Sequence, residues 1–518
     1  MRRRTFLIGA AGAMGAAASV GASVLMNRFI GAAPRLAKRQ KLKMPYLIDA
    51  NRDGKVALAA MAGTFDFGTG VASQTLGYNG AYLGPAIRLA PNAEVPVTVE
   101  NHLDELTTLH WHGLSIEGAY DGGPHQPIAP GGVWSTHIAT KQAAALAWYH
   151  SHAHGRTAPQ VHSGLAGVLL IDDGGDKDFG IPNSYGEDEF VLVLQDKRFD
   201  AFGRMRYDPS DDDALLGFRG DTIAVNGQID PYLDVPPGLV RLRLLNASNA
   251  RFFTFSFADG RPLTLIGTDA GRLAAPLPLD SLRMAPAERC DILVDFSNGS
   301  AVMLWSRPDS NSGMSLGPLR EIKNTLNTGH FRSFPVLDFR PSSTMKSSFA
   351  RIPSRLNPAP AQIDRPVSQT RHFTLDMSGG ESGMEGMTMK VRMTINGQLL
   401  DMSRSDFRVA LGSSERWIVS TVMMAHPFHV HGCRFKVISE DGAPPRSENS
   451  GWKDVVVVEK QVELIAEFDN PANDSNPDMY HCHILEHEDA GMMGQFSVGG
   501  FDPNISERSR LSPRLRTH

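Results

Sequence analysis

The chain has 518 residues, 42% of them hydrophobic, with 50 glycines, 33 prolines and a formal net charge of −5. That length exceeds one core and fits three domains of ordinary size, and the glycine and proline content favours a turn-rich β protein over a helical one. The mild, diffuse acidity contains no basic stripe, which argues against a nucleic-acid partner.

Residues 1–33 hold Arg2, Arg3, Arg4 and Arg28 with no acid, followed by a weakly apolar Gly/Ala stretch, the layout of an export signal. Its removal takes four positive charges away and leaves about −9. RRTFL at residues 3–7 resembles the twin-arginine signal, with Arg2 where such signals carry Ser or Thr. The resemblance implies export to the periplasm by the twin-arginine (Tat) machinery as an already folded protein; an uncleaved N-terminal anchor is the alternative. Three β-rich blocks follow. Block one (45–175) contains VPVTVEN and GVLLI, block two (186–342) FVLVLQD and VRLRLLNAS, block three (372–500) RWIVSTVM and DVVVV. Short apolar runs between turns read as sandwiches or barrels. The polar, proline-containing run over 343–371 reads as an external linker. Of three cysteines, Cys290 and Cys433 fall in different blocks and are expected to be free, small core residues.

Ten of the 18 histidines lie in four motifs: HWHG (110–113), HSH (150–152), HPFHVHG (426–432) and HCHILEHEDAGMM (481–493). All four belong to blocks one and three, whereas block two has only His330 and reads as architectural. Each motif contains His-x-His. On a strand, residues i and i+2 point the same way about 6.6 Å apart, which suits imidazoles gripping neighbouring metal ions. Four such pairs in one chain are far beyond chance. The last motif adds a second site, because Cys482 projects to the face opposite His481 and His483. Cys482, His487 and Met492, with His426 as a second imidazole, supply one thiolate, two imidazoles and an axial thioether, the set that selects copper in electron-transfer sites. Zinc is the rival metal, but structural zinc sites favour several cysteines. An electron entering at Cys482 has a short covalent route to its histidine neighbours.

These motifs resemble those of multicopper oxidases, and the stretches HWHGLSIEGAYDGGPHQ, WYHSHAHGRTAPQVHSGLAG, INGQLLDM and HPFHVHGCRF look most similar to the bacterial copper-efflux branch. The resemblance implies an all-β fold of three cupredoxin-like Greek-key β-sandwich domains, a monomer, and four copper ions. His426, Cys482, His487 and Met492 would hold a type 1 copper, and His110 and His429 a type 2 copper. A type 3 pair would take His112, His150, His152, His431, His481 and His483. One-electron oxidation at the first site would then be coupled to reduction of dioxygen to water at the other three. Asp121, in the DGGP turn, and Glu488 match acidic positions that the family uses to supply protons. His102, His125, His154 and His162 are left structural, and Trp111, Trp148 and Phe428 are read as packing.

The donor is read from methionines. From Met377 to Met424 the chain holds eight of its 21 methionines, and thioethers select Cu(I). By resemblance Met377 and Met424 look like positions of a Cu(I) substrate site, which Met384, Met387 and Met389 would extend. Val422 stands where the family has an acid, with Glu381 or Glu385 as candidate substitutes. The leading expectation is Cu(I) oxidation in copper tolerance. Second is a laccase-like oxidase of phenols, aromatic amines, Mn(II) or Fe(II). Third is a non-catalytic envelope protein of cell division on the same fold, a branch in which the resemblance implies loss of copper ligands.

Overall fold

The computed structural model describes residues 39–500, apart from 140, 173, 309–327, 330, 357–362, 364 and 380–390. The expected export segment 1–33 lies outside the described residues. Among them, no helix is long and apolar enough to cross a membrane.

Strand periodicity explains the layers. In Glu94–Asn101, Val95, Val97 and Val99 turn inward while Glu94, Pro96 and Glu100 face solvent, the alternation of a strand covered on one side. Leu239–Asn246 and the strand beside it, Glu189–Phe199, are buried almost throughout, because both faces of that sheet are covered. Six sheets form among the described residues, two per block. In each block the two sheets enclose one apolar core, drawn around Val97 and Leu169 in the first, Leu244 and Phe339 in the second, and Trp417 and Phe428 in the third. A further apolar cluster takes Trp148 and Val161 from the first sandwich, Val193 and Ala287 from the second, and Val455 and Leu485 from the third. Each large side chain buried there is worth ~1.5–3 kcal/mol, so the three sandwiches are joined where the histidine motifs meet.

The run expected as an external linker behaves otherwise. Leu356 is fully buried in the core of the second sandwich and its amide donates to Ala274 O at 3.1 Å. The Ser347 hydroxyl donates to Leu239 O at 2.6 Å, and the strand Val367–Gly379 already begins inside the expected linker. Met345, Phe349 and Leu356 are the reason: these apolar residues in a polar run cover the edge of the second core. The segment before block one is likewise tied to block two, with Leu42 in its core and the Leu42 amide donating to Tyr232 O at 2.7 Å.

Candidate metal centre

Strand pairing brings the four His-x-His motifs together. In the first sandwich His110 and His150 form an antiparallel bridge with reciprocal main-chain bonds of 2.8 and 3.1 Å. In the third, His426–Val430 pairs with Asp478–Cys482, placing His429 opposite His481 and Phe428 opposite Cys482. All eight imidazoles are buried. The rings of His112, His150 and His483 lie 5.0–5.6 Å apart between centroids, and those of His152, His431 and His481 lie 4.9–5.2 Å apart. His110 and His429, 5.9 Å apart, stack on His431 and His112 respectively.

One nitrogen of most rings is anchored. His429 Nδ1 donates to Asp454 O at 2.8 Å, His150 Nδ1 to Ser151 O at 2.8 Å, and His481 Nδ1 to Cys482 O at 3.1 Å. His112 Nε2 lies 3.2 Å from Asp454 Oδ1, and His431 Nδ1 lies 2.9 Å from Asp121 Oδ2. Each acceptor forces the proton onto the anchored nitrogen and leaves a lone pair on the other. Nε2 of His110, His150 and His429 and Nδ1 of His112 are buried without a protein hydrogen-bond partner, as are Nδ1 of His152 and both nitrogens of His483. Nε2 of His431 and of His481 face each other at 3.1 Å. Buried lone pairs turned on one another are what a cation relieves, and ligating histidines typically anchor their second nitrogen in this way. Burial also holds His112, His150, His152, His429, His481 and His483 well below the ordinary imidazole range, and His431 at about 4. They are therefore neutral near pH 7, the ligating form.

The second site sits on the opposite face of the Asp478–Cys482 strand. His426 Nδ1 is 3.3 Å from Cys482 Sγ, while His487 Nδ1 is 3.7 Å from Sγ and 3.3 Å from His426 Nδ1. His487 rides on the short helix Leu485–Asp489, and its Nε2 donates to Leu215 O of the second sandwich at 3.0 Å. Met492 is fully buried, donates its amide to His487 O and accepts from the Cys482 amide, so its backbone closes the loop around the thiol. Burial raises the Cys482 thiol, but a coordinating cation would remove that proton outright. One thiolate, two imidazoles and a buried thioether fit copper better than zinc.

Both expected carboxylates reach the histidines. Burial alone would raise Asp121, but the His110 and His431 rings beside it hold it below the usual range; its Oδ2 is 3.1 Å from His110 Nδ1. Glu488, expected on a solvated face if structural, is fully buried, with its two oxygens 3.3 Å from His152 Nδ1 and His481 Nδ1. Burial, reinforced by Asp489 and Glu486, pushes it well above the usual carboxyl range. Met377 and Met424 pack in the core of the third sandwich, whereas Met384, Met387, Met389, Glu381 and Glu385 lie outside the described residues. His162 is buried against Tyr207 and Phe218, His125 bonds Gln495, and His102 is exposed beside Glu100. Cys290 and Cys433 are free and buried.

Two residues that bind this centre together were not apparent from the motifs. Asp454 touches His112 through its side chain and His429 through its carbonyl. Glu486 accepts from Tyr207 Oη, Asn249 Nδ2 and the Phe218 amide of the second sandwich. The only local signal for Asp454 is its place before the VVVV strand, and for Glu486 its place one residue before His487.

Three two-sheet sandwiches, a buried eight-histidine cluster joining the outer two, and a site of one cysteine and two histidines within the third define a cupredoxin-like protein whose donor sets suit copper. The chain belongs to the multicopper oxidase family, whose models match residues 60–176, 213–331 and 364–501. It is 39% identical over 90% of its length to the "Cell division protein FtsP" of Dickeya dadantii, 94% of which is covered. The FtsP of Shigella dysenteriae is 36% identical, covering 89% of this chain and 93% of that protein. Among solved structures, a laccase-like multicopper oxidase CueO from Ochrobactrum sp. superposes with a TM-score of 0.79 at 37% identity, covering 88% of this chain and all of that one. A laccase from Pediococcus acidilactici gives 0.76 at 33% identity, covering 90% and 94% of the two chains. The likeness is therefore shared between the oxidases and a division protein, not confined to the copper-efflux branch.

Proposed function

We propose that this chain is a copper-loaded oxidase that takes electrons one at a time at the Cys482 site and delivers them through His481 and His483 to dioxygen. The observation that carries the reading is the donor set: the eight clustered histidines are buried together, and His426, Cys482 and His487 gather into a second site whose loop is closed by the backbone of the buried Met492. When bound, one type 1, one type 2 and a type 3 pair of coppers would supply the four-electron reduction of dioxygen to water.

The residues have distinct tasks in this reading. The main chain at Cys482 joins the two sites covalently. Asp121 and Glu488 serve proton movement next to the cluster, Asp121 as an ionised acceptor held by His110 and His431, Glu488 as a donor kept protonated by burial. The donor is Cu(I), in a copper-tolerance role in the periplasm after twin-arginine export, with Met377, Met384, Met387, Met389 and Met424 as its candidate contacts. A phenol, an aromatic amine, Mn(II) or Fe(II) is the alternative donor. The exposed Val422 and Met423 beside Met424 favour the phenol or aromatic amine over the metal ions, since they offer an apolar surface where an acid is lacking.

A second reading has a specific observation in its favour. Relatives named for cell division match nearly the whole chain at 35–39% identity, which supports an envelope role that needs the fold and no catalysis. Copper content and oxygen uptake separate the two. The oxidase reading expects about four coppers per chain and oxygen consumption with Cu(I) or a phenol. A chain that takes up no copper and consumes no oxygen after reconstitution refutes it and leaves the division role. Changing Met377, Met384, Met387 and Met389 together to Ala then tests the donor. Cu(I) turnover should collapse while phenol turnover holds, and equal retention of both assigns the methionines to packing.

A further inference from the structure

We infer that Arg289, contributed by the second sandwich, is a positioning residue for the eight-histidine cluster. It locks Asp454 so that this one aspartate fixes a ligand from each outer sandwich, His112 from the first and His429 from the third. The inference rests on the copper reading above and assigns the second sandwich a part in it.

Arg289 is fully buried, and every one of its side-chain donors is matched. Nη1 donates to Asp454 Oδ1 at 2.6 Å and to Ala287 O at 3.1 Å. Nη2 donates to Asp454 Oδ2 at 2.5 Å and to Asp269 O at 3.1 Å, and Nε to Leu146 O at 3.0 Å. A planar fork with five filled donors cannot turn, so the Asp454 carboxylate it grips at both oxygens cannot turn either.

The held carboxylate does a task that no other group at the cluster does. His110, His150 and His429 leave Nε2 without a protein partner, whereas His112 leaves Nδ1. A neutral imidazole puts its proton on either nitrogen, and His112 presents Nδ1 as a lone pair only if Nε2 carries the proton. Asp454 Oδ1, 3.2 Å from Nε2, imposes that tautomer. Its carbonyl meanwhile sets the ring of His429, which stacks on His112 at 3.7 Å between centroids.

Charge points the same way. The buried network around Arg289 contains Lys453, which contacts Asp269 at 3.2 Å and Glu288 at 2.9 Å. Lys453 and Arg289 pair with Asp269, Glu288 and Asp454, and Asp454 is the one that reaches ligand imidazoles. A carboxylate behind a ligating histidine raises its basicity toward a metal. The sequence makes room for the fork at Gly113, the last residue of HWHG. There φ is +87°, and a Cβ would strike the Arg289 guanidinium and come within 2.9 Å of Asp454 Oδ2.

The test compares Arg289→Lys, the isosteric Asp454→Asn, and Lys453→Met, which disturbs the same network without touching a ligand. The full chain is reconstituted with copper. Expected for the first two is a cluster copper affinity lower by about 10–100-fold, an altered type 2 electron paramagnetic resonance signal, and unchanged blue absorption at Cys482. Lys453→Met should lower the melting temperature and leave that signal alone. Unchanged affinity and signal in both Arg289→Lys and Asp454→Asn, or equal changes in Lys453→Met, would overturn the assignment. If the unaltered chain takes up no copper at the cluster, the oxidase reading fails, and nitrogen NMR of 15N-histidine-labelled, metal-free full chain decides the rest. His112 protonated at Nε2, and losing that preference in Asp454→Asn, upholds the positioning role; an unchanged tautomer overturns it.

Discussion

Glu486 makes the second sandwich answerable to pH. It lies directly before His487 on the helix Leu485–Asp489. Its Oε1 accepts from Tyr207 Oη at 2.9 Å and Asn249 Nδ2 at 2.7 Å, and its Oε2 from the Phe218 amide at 2.9 Å. Burial pushes its carboxyl up from 4.5 to about 7, and these three donors offset that only in part. The folded chain therefore holds this proton more tightly than the unfolded chain does. The associated stability is fully present below about 4.5 and is lost as pH rises through about 7. At ~1.4 kcal/mol per pH unit the whole effect is roughly 3 kcal/mol, most of it between pH 5 and 8. Glu486→Gln removes the titration and sets one buried donor against another, a pH-independent cost of ~1–3 kcal/mol. Urea unfolding of both copper-free chains at pH 5 and pH 8, followed by near-ultraviolet circular dichroism, checks this. The wild type should be the more stable at pH 5, and its advantage should shrink or reverse by pH 8. Parallel losses in the two chains would show that Glu486 does not titrate in this interval and would refute the argument.

Cys482→Ser should abolish the intense blue absorption and the copper at its own site while leaving the histidine cluster loaded, which absorption spectra and metal analysis per chain will read. Asp121→Asn keeps one acceptor for His110 and His431 but removes the carboxylate that can take up a proton, so oxygen consumption should fall by about 10²–10⁴-fold with copper content preserved. Gly113→Ala forces a side chain into a left-handed backbone and into the Arg289 fork; melting curves should show a loss of at least ~1–3 kcal/mol. Chelation of copper should lower the melting temperature of the wild type far more than that of a variant with His110, His429 and His483 changed to Leu.

Local pattern carried much of this molecule. The period-2 alternation in EVPVTVEN marks a strand before any coordinates are known, and His-x-His on a strand places two rings on one side. What the pattern does not hold is contact between distant segments. Arg289 meets Asp454 across 165 residues, and Asn249 meets Glu486 across 237. Nothing near Arg289 distinguishes it from Arg241 or Arg243, which are equally buried in ion pairs within the second sandwich. The expectation that block two is architectural followed from counting histidines. It missed that a charged residue acts on the cluster from behind the ligands. The run 343–371 differs from a free linker for a related reason: within its overall polarity Met345, Phe349 and Leu356 cover the second core, a role that shows only against that core.

The cost of the eight-histidine cluster bears on the choice between oxidase and division protein. Seven imidazole nitrogens there, both of His483 among them, are buried without a protein hydrogen-bond partner. At ~1–3 kcal/mol for each unmet buried polar group the penalty is on the order of 10 kcal/mol, as large as the net stability of a typical domain. A scaffold that served only by its outer surface would be more stable with leucine or methionine at those positions, since replacing an unsatisfied polar cluster by packed apolar side chains is commonly neutral or stabilising. Here the rings are kept, and His112, His429, His431, His150 and His481 are further tied down at their outer nitrogens by Asp454, Asp121 and main-chain carbonyls. Anchoring the outer nitrogen relieves no cost at the inner one; it aims it. That combination, an uncompensated inner nitrogen with a fixed outer one, gains free energy only when a cation binds. It weighs toward a metal-loaded chain even among relatives named for cell division.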